Sequence, residues 1–227
     1  ASPMPLGVYF IPRPGSVQSS IFISTEGLPY THPDYRTLDL AADVIGAGFA
    51  GRLFRTLRET YSYTYTPFGS LTRNKFLNYF VCGADVRTSV TDSAINVINE
   101  QLTRLATQEP DEEELTRVKR TVVGGYLMNF ENSNFIASLI QRAYFYGIPL
   151  KEVKEYPETV MGISPYEIKT KANKYMNPAN QYIIVVGLPE IKEKLAQFGN
   201  ISEYSLDLEP LTGIHAKLEE EDLNAEE

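Results

Sequence analysis

The stretch GAGFAGRLFRTLRETYSYTYTP, residues 46–67, has three successive patterns within its length. Its glycines permit a tight turn or close packing of the backbone. The apolar residues that follow recur at spacings of three and four, which predicts a short amphipathic helix: Phe49, Leu53, Phe54 and Leu57. Tyrosines then alternate with Ser and Thr, which is the period of a strand: Tyr61, Tyr63 and Tyr65. We therefore expect Arg58 near a helix end and Tyr65 on the next strand, with a turn that brings guanidinium and phenol together.

The composition is that of a chain with a packed core. Its 227 residues suffice for one large domain or two small ones, and 43% of them are hydrophobic. No apolar run approaches the ~20 residues that a transmembrane helix needs. The single cysteine, Cys82, excludes an internal disulfide framework, and its apolar, strand-like flanks predict a buried and unreactive thiol.

The charge balance argues against nucleic acid as a partner. There are 21 basic and 29 acidic residues, and the net charge is −8. Six of the acids lie in the last ten positions, which hold no Lys or Arg, so the rest of the chain carries a net charge near −2. No basic stripe is available to neutralise phosphates. The acidic tail, residues 209–227, is predicted to be solvated and disordered.

Alternation and helical spacing divide the first half of the chain. A short apolar segment at 7–11 is followed by residues 17–24, which alternate and predict a strand. Residues 34–45 have helical spacing, with Asp34 placed as the N-terminal cap. A second apolar run at 76–84 predicts a strand that pairs with residues 61–69.

The second half of the chain is mostly helical in its pattern. Spacing and start signals predict helices at 91–107, 110–126, 134–146, 149–163, 164–176 and 189–198. Gly124 and Gly125, inside the second of these, predict close packing against a neighbour. The β-branched run at 182–187 predicts a strand buried on both faces, and residues 201–208 predict a last strand.

This order of elements predicts an α+β fold. We expect a two-layer domain, with a mainly antiparallel sheet and helices on one side of it. The domain is predicted to span residues 8–208, after a lead-in at 1–7 and before the tail at 209–227. No internal repeat or linker divides it.

Several short motifs carry a resemblance to a known family. Leu57-Arg58-Glu59, followed by Tyr63-Thr64-Tyr65, resembles the LRE..GYTY signature in the C-terminal half of pitrilysin/insulinase-type zinc peptidases, the inverted-motif group that includes mitochondrial processing peptidase subunits. Residues 45–54 resemble the LGGG..SRLF segment of the same family. Further matches follow in the family's order at 13–18, 32–35, 111–119 and 184–187. The sequence departs from the pattern where Gly or Ser is common, at Ala50, Ser62 and Thr66.

The resemblance implies that this chain is the half without zinc ligands. In the family, the N-terminal half binds zinc through H-x-x-E-H and a distal Glu. The expected partner is such a zinc-bearing half, fused or separate, with no metal or other cofactor in this chain. Arg58 and Tyr65 are then expected to reach across a closed chamber, bind the peptide substrate near the scissile bond and stabilise the transition state. Tyr63 is a weaker candidate, and no residue is expected to be catalytic in this chain alone.

The residues themselves leave structural and functional interpretations of Arg58 and Tyr65 open. An Arg fork and a phenol are suitable donors to an oxygen that gains negative charge. Arg58 would equally pair with Glu59 or cap its helix, and Tyr65 would pack on a half-buried strand. The acids at 112–114 point in different directions on a helix, which predicts a solvated first turn.

A catalytic zinc site is not expected in this chain. It needs about three protein ligands, and the two histidines, His32 and His215, lie far apart with no acid at the required spacing. A nucleotide site would rest on G-x-G-x-x-G at Gly46, Gly48 and Gly51. That motif needs a preceding strand, whereas helical spacing precedes it here.

Two further function classes remain beside a peptidase half. One is a non-enzymatic interaction or scaffold subunit of the same fold, as in core subunits of respiratory complexes. The other is a nucleotide-dependent enzyme, which depends only on the glycine motif. The Arg/Tyr pair favours the peptidase half, whose substrate preference and compartment the sequence does not indicate.

Overall fold

A computed structural model describes residues 5–74 and 77–212 of the chain. The strands are β1 (Gly7–Pro12), β2 (Gln18–Glu26), β3 (Phe68–Leu71), β4 (Tyr79–Arg87), β5 (Tyr182–Gly187), β6 (Ile201–Tyr204) and β7 (Pro210–Thr212). The helices are α1 (Tyr35–Gly46), α2 (Thr91–Thr107), α3 (Glu112–Met128), α4 (Ser133–Tyr146), α5 (Leu150–Lys154), α6 (Tyr156–Gly162), α7 (Pro165–Tyr175) and α8 (Lys192–Leu195). A π-helical segment spans Phe54–Thr60.

The described strands form one sheet in the order β3-β4-β2-β5-β1-β6-β7. Neighbouring strands run antiparallel except at β1, which is parallel to both β5 and β6. The longest pairing joins β2 to β4, from Gln18 opposite Arg87 to Glu26 opposite Tyr79. The predicted α+β fold with a mainly antiparallel sheet is confirmed.

The helices pack on one face of the sheet. Along β2, Ile21 and Ile23 are fully buried in the core, whereas Phe22 points to the opposite face and is 38% exposed. The same alternation runs along β4, where Phe80 and Cys82 are fully buried. The two-layer architecture is therefore as predicted, and so is the buried thiol, whose pKa is raised by burial.

Helix α1 is largely buried against β3 and α7. Asp34 stands at the predicted cap position, but the predicted capping bond from its side chain is absent. Its carboxylate instead pairs with Lys171 Nζ at 2.7 Å and accepts from the Tyr175 hydroxyl at 3.0 Å. The hydrogen bond with Lys171 lowers the pKa of Asp34. Asp34 thus ties α1 to α7, while its own N–H donates to His32 Nδ1 at 3.0 Å.

Helix α7 begins with a complete capping box. The Ser164 hydroxyl accepts from the Glu167 N–H at 3.2 Å, and the Glu167 carboxylate accepts from the Ser164 N–H at 2.8 Å. These two bonds satisfy backbone donors that a helix start otherwise leaves unpaired. The hydrogen bond from the Ser164 N–H is the leading cause that lowers the pKa of Glu167. The helix start predicted at Ser164 is confirmed.

Glycine determines how closely α1 approaches β3. A Cβ atom added to Gly46 would lie 2.2 Å from backbone atoms of Gly69. This contact requires glycine at position 46, and a Cβ atom on Gly69 would lie only 3.0 Å from Gly46 Cα. Gly48 follows at a φ of +50°, in the left-handed region. The G-x-G-x-x-G motif therefore ends helix α1 and packs against β3. The element directly before it is a helix, whereas a dinucleotide site needs a strand at that place.

The predicted strand at 61–69 is wrong for most of its length, because β3 begins only at Phe68. Ser62 has a φ of +51°, which a strand does not use. The Tyr63 N–H then donates to Leu57 O at 2.8 Å. The tyrosine-rich segment therefore turns back onto the preceding helix instead of pairing with β4.

Two expectations about packing are also wrong. Strand β5 is buried at alternate positions, Ile183, Val185 and Gly187, on the helical face, because no helix covers the side chains of Ile184 and Val186 in the described structure. A Cβ atom on Gly124 or Gly125 would meet nothing within 4 Å, so neither marks close packing.

Element ends differ from prediction in the second half of the chain. The helix predicted at 149–163 is two helices, α5 and α6, and the last predicted strand ends at Tyr204. Residues 210–212 pair with β6 as β7, within the predicted tail. The remaining tail, and most of the lead-in at 1–7, lie outside the described residues, so the predicted domain bounds stay a prediction.

Candidate functional site

The predicted helix of the glycine-rich stretch is present, but it is not a regular α-helix. A single helical turn at Gly48–Ala50 precedes the π-helical segment. At the end of that segment the Tyr61 N–H reaches back five residues to Thr56 O at 3.0 Å. Such widened turns are rare in proteins, and those that do occur are often found at functional sites. This backbone determines where Arg58 points.

The side chain of Arg58 lies between two aromatic rings. Its Cζ atom is 4.6 Å from the ring centroid of Phe54 and 5.8 Å from that of Tyr65. Its Nη1 also donates to the backbone carbonyl of Tyr65 at 3.3 Å. The turn therefore brings Arg58 and Tyr65 together as predicted. The guanidinium contacts the ring face and the backbone carbonyl oxygen of Tyr65. Glu59 is exposed and makes no ion pair with Arg58 in the described structure, so that structural alternative is absent.

Exposed aromatic rings stand at both ends of this arrangement. Phe49 is 79% exposed and its ring lies 4.5 Å from that of Phe54. Tyr65 is 82% exposed. We call Phe49, Phe54, Arg58 and Tyr65 the aromatic–arginine ladder. It presents a guanidinium, whose position is set by cation–π contacts, between two exposed aromatic side chains.

Tyr63, the weaker sequence candidate, is placed differently. It is half-buried against the hydrophobic core. Its ring stacks on that of Tyr61, with the centroids 5.2 Å apart and the planes 22° from parallel. Tyr63 thus packs against the body of the domain, whereas Tyr65 projects from it.

The loop that carries Tyr65 is held at several points. The Arg87 guanidinium donates to Ser62 O at 3.1 Å. The Thr66 N–H donates to the hydroxyl of Thr64, which is buried. Ser62 stands where the family often has Gly, and its positive φ explains why glycine suits that position.

Sequence reasoning missed the ion pair between Arg52 and Glu114. Arg52 belongs to the glycine-rich stretch and its side chain is only 6% exposed, while that of Glu114 is 16% exposed. Glu114 is therefore not part of a solvated first turn, unlike its exposed neighbours Glu112 and Glu113. Burial alone would raise the pKa of Glu114, but the hydrogen bonds and charge of Arg52 outweigh it and hold that pKa below its usual range. The available signal was Val118, one helical turn later on the same buried face.

No zinc-type cluster is present among the described residues. Residues 5–74 and 77–212 hold no group of three or more His, Cys, Asp or Glu side chains that could bind a metal ion. His32 accepts a hydrogen bond from the Asp34 N–H just before α1, and its ring packs edge-on against that of Tyr175, with the centroids 6.5 Å apart. His215 lies outside the described residues.

Three solved structures with this architecture are chains of about twice the length. A peptidase M16 inactive domain from Pseudomonas fluorescens aligns with a TM-score of 0.72 and 21% identity over 81% of this chain and 44% of its own. A protease from Helicobacter pylori aligns at 0.73 and 16%, over 79% and 43%. A chain of Complex III2 from Candida albicans aligns at 0.69 and 16%, over 85% and 49%. The chain therefore has the fold of an M16-type half-domain and spans less than half of each of these proteins.

The sequence itself defines the family. Residues 3–122 match the family described as the peptidase M16 inactive domain. This chain belongs to that family. No protein in the search of curated sequences matches it. Within the described residues, no helix has both the length and the apolar character needed to cross a membrane.

Proposed function

We propose that this chain is the non-catalytic half of a zinc metallopeptidase, which closes the substrate chamber and contributes Arg58 and Tyr65 to peptide binding. The observation that carries the proposal is the aromatic–arginine ladder. Tyr65 is 82% exposed, and its ring lies 5.8 Å from the Arg58 guanidinium. Membership of the inactive-domain family supports the class, and the alignment with less than half of three longer solved chains supports a role as one part of a larger assembly.

Arg58 and Tyr65 suit an oxygen that gains negative charge. A guanidinium carries five N–H donors in a fixed fork, and the bond to Tyr65 O accounts for only part of that capacity. Phe54 supports the guanidinium from one side, which restricts its orientation. The Tyr65 hydroxyl supplies a further donor. Donors fixed before the reaction stabilise the transition state more than donors that must first reorient.

The proposed partner is a zinc-bearing half with the H-x-x-E-H motif, either fused to this chain or separate. Zinc bound there would activate the attacking water. This chain is assigned no metal or other cofactor, and no residue that breaks the peptide bond by itself. Its substrate is the peptide held between the two halves.

The test replaces each residue in the assembled enzyme. We expect Arg58→Gln and Tyr65→Phe each to lower kcat/KM on a fluorogenic peptide by about 10²–10³-fold, the usual cost of losing one such donor. Zinc content, measured by atomic emission, should not change. Tyr61→Phe is the matched control, because Tyr61 is a partly exposed tyrosine of the same loop outside the ladder. Unchanged kinetics in both test variants would contradict the assigned role.

The second candidate is a non-enzymatic scaffold subunit of the same fold. The observation in its favour is the alignment with a chain of Complex III2. The two candidates differ in what accompanies the native chain. Capture of the native protein, followed by intact mass, subunit analysis and zinc content, separates them. About one zinc per assembly with peptidase activity supports the peptidase half, whereas a zinc-free assembly without that activity supports the scaffold.

A further inference from the structure

A small cavity lies where α1, α3, α4 and α6 meet. Its interior volume is about 70 Å³, and the space that includes its opening to solvent is about 420 Å³, which leaves room for a small organic acid that extends into the opening. Its lining combines three arginines with aromatic side chains: Arg36, Arg73, Arg142, Tyr126, Phe135 and Tyr156. We call it the arginine pocket. None of these residues belongs to the aromatic–arginine ladder.

Two of the three guanidiniums are held in place by neighbours. Arg36 Nη2 donates to the Tyr30 hydroxyl at 2.7 Å, and its Cζ lies 4.7 Å from the Tyr30 ring and 5.2 Å from the Tyr156 ring. Arg73 Nη2 pairs with Asp39 Oδ2 at 3.2 Å. Neither arginine is free to leave the pocket without losing these contacts. The positive charge there is therefore preorganised.

Arg142 differs from the other two. It is half-buried on α4 and lines the pocket. Among the described residues, none forms a hydrogen bond or ion pair with its guanidinium. A guanidinium offers five donors and no acceptor, so Arg142 brings unused donors to a partly enclosed space.

The nearby carboxyl groups do not balance three guanidiniums. The two carboxyls whose electrostatics involve these arginines are Asp39 and Asp43, both on α1. Among the described residues, Asp39 is the carboxylate that forms an ion pair with one of the three guanidiniums, that of Arg73. Arg36 also bonds to a tyrosine rather than to a carboxylate. The pocket thus keeps an excess of positive charge.

We propose that the arginine pocket binds a small organic carboxylate with an apolar body. The carboxylate would lie between Arg142, Arg36 and Arg73, since guanidinium forks match the geometry of that group. The body would pack against Tyr126, Phe135 and Leu139, which line the same cavity. A free acid and the C-terminal residue of a peptide share this chemistry. The proposal does not depend on the role of Arg58 and Tyr65.

The test measures binding of phenylacetate to the native protein by saturation-transfer NMR and calorimetry. We expect a Kd of about 1 mM for a ligand of this size, and similar binding of N-acetylphenylalanine. N-acetylphenylalanine amide, which lacks the charge, should not bind. Arg142→Gln should weaken binding of both acids about tenfold or more, because it removes charge-assisted hydrogen bonds.

A matched control excludes general effects of charge and folding. Arg120→Gln removes the same charge from an exposed position on α3 and should leave binding unchanged. The Tm of Arg142→Gln without ligand should stay close to that of the parent, because the described structure gives its guanidinium no hydrogen bond or ion pair to lose.

The remaining outcomes each decide a part of the proposal. No binding by the parent protein, or equal binding by Arg142→Gln, would overturn it. If the amide bound as tightly as the acid, the pocket would not recognise the charge. If inorganic phosphate bound as tightly as phenylacetate, the pocket would not recognise the apolar body. A peptide ending in a free phenylalanine that binds as well as phenylacetate would identify peptide C-termini as a source of the ligand, and weaker binding would favour free acids.

Discussion

Arg52 and Glu114, 62 positions apart in the sequence, meet through two parallel N–H···O hydrogen bonds of 2.8 Å each. The pair joins the end of the glycine-rich stretch to the first turn of α3. A bidentate contact of this kind fixes orientation as well as distance. Because both side chains are largely buried, either partner left alone would be a poorly solvated charge.

Removing the carboxylate should therefore be costly. We expect Glu114→Ala to lower the free energy of unfolding by about 3 kcal/mol, because it leaves the Arg52 guanidinium buried without a partner. Urea unfolding followed by circular dichroism measures the change. Glu113→Ala is the control, since Glu113 is exposed in the same helical turn and should cost less than about 0.5 kcal/mol. Equal effects of the two substitutions would show that the buried pair contributes nothing specific.

Ser62 is a second position with a clear expectation. Its φ of +51° is costly for a residue with a Cβ atom. We expect Ser62→Gly to raise the free energy of unfolding by up to about 1 kcal/mol, less the entropy that glycine adds to the unfolded chain. Ser62→Val should lower it by about 1–2 kcal/mol, because a β-branched side chain is strained in that region. Calorimetry should therefore give the highest Tm for Ser62→Gly, a lower one for the parent and the lowest for Ser62→Val. The reverse order would contradict this expectation.

The sequence predicted most of the fold, because periodicity records which side chains meet the core. Helix α2 and strand β5 begin and end as predicted, since each is a long, uninterrupted pattern. The prediction failed at residues 61–67, where alternating tyrosines have the period of a strand. A positive φ at Ser62 and a hydrogen bond from Tyr63 to Leu57 O override that pattern. Alternation of residue types along a segment does not reveal a hydrogen bond back to the preceding helix.

The candidate site was predicted only in part. The proximity of Arg58 and Tyr65 followed from their spacing and from the family resemblance. The contribution of Phe54 and Phe49 did not, because helical spacing assigns both to a core face, while Phe49 is 79% exposed. The arginine pocket was missed altogether. Its cations come from α1, α4 and the residues after β3, and no local pattern indicates that these segments meet.

Substitution by alanine should change the free energy of unfolding in opposite directions at Gly46 and at Gly124. Gly46→Ala should lower the free energy of unfolding by about 3 kcal/mol, because the new Cβ would lie 2.2 Å from the Gly69 backbone and would separate α1 from β3. Gly124→Ala should raise it by about 0.5–1 kcal/mol, because that helical position is open and alanine is the better helix former. Chemical denaturation of both variants checks the contrast. A destabilising Gly124→Ala would indicate a packing partner outside the described chain.

Asp43 should make the folded protein less stable as the pH rises. Burial and the neighbouring Asp39 raise its pKa to about 7, above its value in the unfolded chain. Between about pH 4 and 7 the folded state holds a proton that the unfolded state has lost, so stability falls as the pH rises through this window. The measurement is the loss of unfolding free energy between pH 5 and pH 8. We expect this loss to be about 1–3 kcal/mol smaller in Asp43→Asn than in the parent protein. Asp111→Asn, at an exposed carboxylate, should leave the decrease intact. If Asp43→Asn kept the full pH dependence, another buried acid, with Asp39 the first to test, would have to account for it.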